Sequence, residues 1–277
     1  MRRSSTGSLA ICLGLTMGLL SAGSPAAGAD NGAPDRAETA VHTGSSITSV
    51  TESVVRVHIP LPDSVGRHPA ECDWLSYLRY RDAAGPADSA DADRVLVAQP
   101  GILEGAGAFD SVARNTVAAA ARDGRHLEFW ALARRSNCLS DHSGVRAGAD
   151  AHDYDVAIDY YYGHRPVDGH TFAGFADNAQ LSWLAGVGIE QTVSDQYRLM
   201  VHELPDPGVR QRKTLCGGHS LGGVVTAFFA DSDFDGHPGY QQCSGYFALD
   251  TAISTSLSML SGLPPLSAIL PDPLGLG

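Results

Sequence analysis

Five consecutive residues, Gly218-His219-Ser220-Leu221-Gly222, put a serine hydroxyl inside the pattern Gly-x-Ser-x-Gly. Where a strand turns into a helix, this spacing makes an elbow that lifts the serine out of the sheet as a nucleophile. The glycines let strand and helix approach closely, and the serine occupies a strained turn. A helix beginning at Leu221 would aim free N–H groups and its positive dipole end at an oxyanion forming beside Ser220. An apolar strand is expected at 214–217 and a Val/Phe-rich helix at 221–230. That context favours the elbow over a glycine-rich loop with an incidental serine.

Other groupings carry weaker chemistry. Asp231, Asp233, Asp235 and Gly236 match the opening of a calcium loop, with oxygen donors at alternate positions and a glycine for the turn. Gln242 replaces the bidentate acid at the twelfth place and Pro238 disturbs the loop, so an acidic helix-ending turn is the favoured reading. A cluster of Tyr154, Tyr160, Tyr161 and Tyr162 with Asp153, Asp155 and Asp159 could present a sugar platform. At helical spacing it reads more simply as an apolar face with a solvated acidic side. His142, His152, His164 and His170 form no i, i+4 metal pair and read as surface histidines. No cofactor is expected.

The start of the chain reads as a leader. Met1, Arg2 and Arg3 precede an apolar run at 9–20, and Ala27-Gly28-Ala29 suits cleavage before Asp30. Residues 1–29 are therefore expected to be a signal peptide, with the protein secreted. The run is too short to span a bilayer, and no later stretch reaches about 18 apolar residues. The chain carries 19 Lys+Arg against 31 Asp+Glu, and loss of Arg2 and Arg3 takes the net charge from −12 to about −14. With no basic run, a nucleic-acid partner is set aside. Apolar residues at 43% and aromatics at 7% support a packed core. Cys12 falls in the leader. Cys72, Cys138, Cys216 and Cys243 remain, an even count that in an exported chain favours bridges with three connectivities open. They form no CxxC and sit beside no His at zinc spacing.

Residues 30–52 are polar and read as a flexible lead-in to a domain at 53–277. Strands are expected at 53–61, 74–80, 94–99, 127–133, 214–217 and 245–249. Helices are expected at 109–122, 155–162 and 180–203, the last broken near Gly186 and Gly188, and at 221–230. Strands alternating with helices predict an α/β fold: a mostly parallel sheet with helices on both faces. The stretch 140–212 is too long for a simple connection and is expected to be a helical insertion over one sheet edge.

The wording Gly-His-Ser-Leu-Gly-Gly at 218–223 resembles the α/β-hydrolase superfamily, especially its exported bacterial lipases and esterases, over roughly residues 53–255. The resemblance implies an ester or lipid substrate, Ser220 as nucleophile, and oxyanion donors at Leu221 and Ile102. Gln99-Pro100-Gly101-Ile102 departs from the usual His-Gly wording at the latter. The sequence at 132–140, Leu-Ala-Arg-Arg-Ser-Asn-Cys-Leu-Ser, resembles the loop after the fourth strand, with Ala133 replacing its acid. Asp250 matches the acid position of some lipases, against an alternative role as a helix N-cap. The superfamily's antiparallel second strand neighbours its fourth, which implies Cys72–Cys138 and leaves Cys216–Cys243. The family's triad runs serine, acid, histidine in chain order. After Ser220 the only histidine is His237, placed beyond the far end of the elbow helix, so a C-terminally incomplete or inactive hydrolase is expected. The alternative is a catalytically inactive hydrolase-fold protein binding a ligand through 140–212.

Overall fold

The computed structural model describes residues 35–251; the expected signal peptide at 1–29 lies outside them. Strand β1 (Arg36–Ala40) and strand β2 (Val50–His58) form an antiparallel pair. The stretch expected as a flexible lead-in therefore contributes β1 and the first residues of β2. Composition concealed this because β1 is exposed over most of its length and gains its order from pairing with β2.

The remaining strands are β3 (Trp74–Asp82), β4 (Arg94–Gln99), β5 (Leu127–Leu132), β6 (Thr214–His219) and β7 (Gly245–Leu249). They lie in the order β1-β2-β3-β5-β4-β6-β7. β5, β4, β6 and β7 pair in parallel, and β3 runs antiparallel between β2 and β5. Five strands thus share one direction, and only β1 and β3 oppose it. The expected α/β class is the observed one, with the antiparallel strand beside β5 as the superfamily resemblance implied.

Side chains alternate across this sheet with the two-residue period of a strand. Val95, Val97, Trp130, Leu132 and Cys216 enter one core with residues of helices α4 (Ile189–Glu203) and α6 (Leu221–Asp231). Ala98, Phe129 and Ala131 face the opposite core with helix α1 (Asp110–Arg122). Helices therefore cover both faces. Residues 140–212 are helical as expected, holding α2 (Ser143–Ala151), α3 (Asp155–Tyr161), α4 and α5 (Pro207–Lys213). However, α4 does not lie over an edge. Its Val193, Leu199 and Met200 pack into the central core, so only the part before it stands off the sheet. The local cause of α5 is plain: Asp206 caps it by accepting from the N–H groups of Gly208 and Val209, and Pro207 starts it.

Both disulfides join the expected partners. Cys72 and Cys138 have Cα atoms 5.1 Å apart, and Cys216 and Cys243 5.9 Å. The second bridge, which fits a mid-strand cysteine, works because Ser244 N–H donates to Thr214 O and draws 243 alongside β6. Two bridges indicate an oxidising compartment. Among the described residues no helix is long and apolar enough to cross a membrane.

A buried ion pair locks α4 in place. Arg135 meets both carboxylate oxygens of Asp195 at 2.5 and 3.0 Å and also donates to the carbonyls of Ile59 and Cys72. Removing one partner strands a buried charge, which costs about 3–5 kcal/mol. Asp195→Ala is expected to lose that much in urea unfolding, whereas a loss below about 1 kcal/mol would mark the pair as peripheral.

Candidate active site

Ser220 lies between β6 and α6 with φ 51° and ψ −120°, the left-handed strained conformation that the elbow motif requires. Its N–H donates to the carbonyl of Leu249 at the end of β7, and its carbonyl accepts from the Thr251 hydroxyl at 2.5 Å. The turn is thereby tied to the neighbouring strand on both sides. A Cβ at Gly218 or Gly222 would collide with the carbonyl of Gln99 at the end of β4, so these two positions accept only glycine.

Three side chains on left-handed backbone stand just past the C-terminal ends of parallel strands: Leu103 (φ 60°) after β4, Ser220 after β6 and Asp250 (φ 45°) after β7. Such residues persist only where surrounding structure holds them, and they concentrate at functional sites. This is also the strand end where open α/β sheets bind ligands. Leu221 is the first residue of α6, so its N–H has no acceptor within the helix. Ile102 lies in the turn after β4 and is half exposed. Asp250 follows Leu249, the residue hydrogen-bonded to Ser220, but its carboxylate bonds no described group.

The structure adds residues that the motif reading passed over. Glu104 accepts the Gly101 N–H at 2.5 Å, and its two oxygens lie 2.9 and 3.0 Å from His219 Nδ1. Arg134 donates to the carbonyls of Gly101, at 2.8 Å, and Pro100. Together they brace the loop that carries Ile102 and join it to the residue preceding Ser220. Partners 115 residues apart leave no periodic signal. The one available hint was a histidine adjacent to the serine. That histidine is engaged by Glu104, and no imidazole hydrogen-bonds Ser220 Oγ among the described residues.

Burial alone would raise the Glu104 carboxyl, but the bonds from His219 and Gly101 and the charges of His219 and Arg134 hold it below its usual value. A carboxylate with a lowered folded pKa stabilises the fold above its unfolded value and loses that effect as pH falls. The melting-temperature advantage of the wild type over Glu104→Gln is therefore expected near neutrality and should fade below pH 4.5. An advantage independent of pH would show that the carboxylate charge contributes nothing.

A cavity of about 710 Å³ opens beside this loop, lined by Leu103, Glu104, Ala133, Arg134, Asn137 and Arg146 among others. It lies on the insertion side of the elbow, and Glu104 joins it to His219. The Tyr/Asp cluster is not a sugar platform as a unit. Tyr160 and Tyr161 pack against Gly144 of α2 and donate to the Asp141 carboxylate and carbonyl respectively, at 2.6 Å each, while Tyr154 and Tyr162 are exposed. Among the described residues no three His, Cys, Asp or Glu side chains form a metal-holding group, Asp231, Asp233 and Asp235 included. Asp233 instead accepts the Gly236 N–H within a tight turn, the acidic-turn reading. His237 sits in that turn beside Tyr197, with ring centroids 6.5 Å apart.

No protein-family model matches the chain, and no curated protein matches it. Among solved structures, it is similar to one from Bacteroides fragilis described as an acetyl xylan esterase. The TM-score is 0.34 at 11% identity, over 72% of this chain and 46% of the other. It is also similar to S-formylglutathione hydrolase from Staphylococcus aureus, with TM-score 0.31 at 12% identity, over 84% of this chain and 66% of the other. The chain thus spans about half of the first structure's length and two thirds of the second's. Both likenesses are distant.

Proposed function

We propose that the chain is a serine hydrolase of the α/β type acting on an ester, exported through its leader, with Ser220 as nucleophile. The backbone of Ser220 carries this reading: φ 51° at a strand-to-helix turn is costly for a serine. In the proposed chemistry, Ser220 Oγ attacks the acyl carbon and forms an ester bond to it. The Leu221 and Ile102 N–H groups hold the oxyanion; the ester C–O bond then breaks, the leaving alcohol takes the proton that Ser220 lost, and water cleaves the acyl-enzyme to the acid and free Ser220. Asp250 is the proposed acid, a reading supported by its position directly after β7. A second reading has its own support. Because no imidazole bonds Ser220 among the described residues, the chain could serve as an inactive hydrolase-fold binder working through 140–212.

A fluorophosphonate probe separates the two. Slow labelling of the folded protein that vanishes in Ser220→Ala is the expected result. Absence of any labelling, with circular dichroism showing a folded chain, would leave the binder.

A further inference from the structure

Arg134 carries a charge in a largely desolvated position with no carboxylate bonded to it. Two of its five N–H groups go to the carbonyls of Pro100 and Gly101, which bear only partial charges. Burial lowers its pKa, opposed by the charge of Glu104 alone. A partly buried cation without an ion pair gains from an anion that reaches it, so a guanidinium lining a cavity is a place for one. The cavity beside Arg134 is also lined by Arg146 and His142. Arg146 stands on the exposed face of α2 and forms no ion pair among the described residues. Glu104 is the only acid in the lining, and its oxygens are already taken by Gly101 and His219. Within this cavity Arg134 and Arg146 face that one acid, while Glu71 and Asp141 line only the adjoining space that shares the two arginines.

The walls also carry apolar surface. Leu103, Leu78 and Val54 line the same cavity, and Leu103 is two-thirds exposed. The occupant is therefore small, partly apolar and anionic, and a planar carboxylate matches the fork of an arginine.

We propose that this cavity binds the carboxylate of a small ester on Arg134 and Arg146. As a substrate class this rests on the hydrolase reading; as a binding site it does not. Glu104 supplies the link, since it lines the cavity and bonds the histidine that precedes Ser220.

The test is calorimetric titration of the full chain, as Ser220→Ala to prevent turnover, with 4-acetoxybenzoate and with its neutral methyl ester. A charge-assisted bond to arginine predicts that the acid binds about 10- to 100-fold more tightly than the methyl ester. Arg146→Gln, at an exposed site that should fold, is expected to remove most of that preference. Arg134→Lys, which keeps the charge but loses the fork, should weaken it while circular dichroism reports an intact fold. Equal affinity for the two probes, or no binding of either, overturns the proposal. A preference unchanged in both variants overturns it as well, because the anion would then sit elsewhere. Carboxylate binding without fluorophosphonate labelling of the wild type would remove only the hydrolase reading, and labelling without carboxylate preference only the anion site.

Discussion

Turnover of p-nitrophenyl butyrate by the purified chain is expected to stay within about tenfold of Ser220→Ala, because a positioned base contributes about 10²–10⁴-fold and no imidazole bonds Ser220 among the described residues. A serine hydroxyl needs an imidazole to take its proton. Of the histidines downstream of Ser220 there is only His237, and 11 residues of α6, rising 1.5 Å each, carry the chain about 16 Å away before it is reached. His219 is next to the nucleophile, yet its Nδ1 is committed to Glu104. Robust turnover that disappears in Ser220→Ala would overturn the expectation. Further loss in His219→Ala would then identify His219 as the recruited base, swung away from Glu104.

Gly222→Ala is expected to leave the chain unfolded or insoluble, a loss above about 4 kcal/mol against a typical domain stability of about 5–15 kcal/mol. A Cβ there would drive into the backbone carbonyls of Gln99 and Pro100. Neither can retreat, because β4 is paired on both sides, by β5 and β6, and Arg134 holds the Pro100 carbonyl. Gly107→Ala is the control. Nothing lies within 4 Å of its would-be Cβ, so a change inside about 0.5 kcal/mol is expected. Urea unfolding of both variants decides the matter, and a wild-type midpoint for Gly222→Ala would show that α6 can move off β4.

The elbow was legible because it is local. A strand, a serine between glycines and an apolar helix occupy adjacent residues, and backbone sterics leave that wording few conformations. Strands β4, β5 and β7 were legible for a related reason: they are short apolar runs bounded by turn residues. The two cysteine pairings followed from strand order once the resemblance implied an antiparallel strand beside the fourth.

What only the tertiary structure decided is held by contacts between distant residues. β1 lacks an apolar pattern, so its strand conformation depends on the edge of β2 that it pairs with. α4 looks like part of an insertion until Asp195 meets Arg135, 60 residues earlier in the chain. Glu104, Arg134 and Arg146 surround one cavity although no spacing relates them. Sequence by itself determined the strained turn at Ser220, since such a turn is a property of neighbouring residues. The charge environment of that serine, and the absence of an imidazole bonded to it among the described residues, depend on how separate loops meet at the strand ends, which no local pattern encodes.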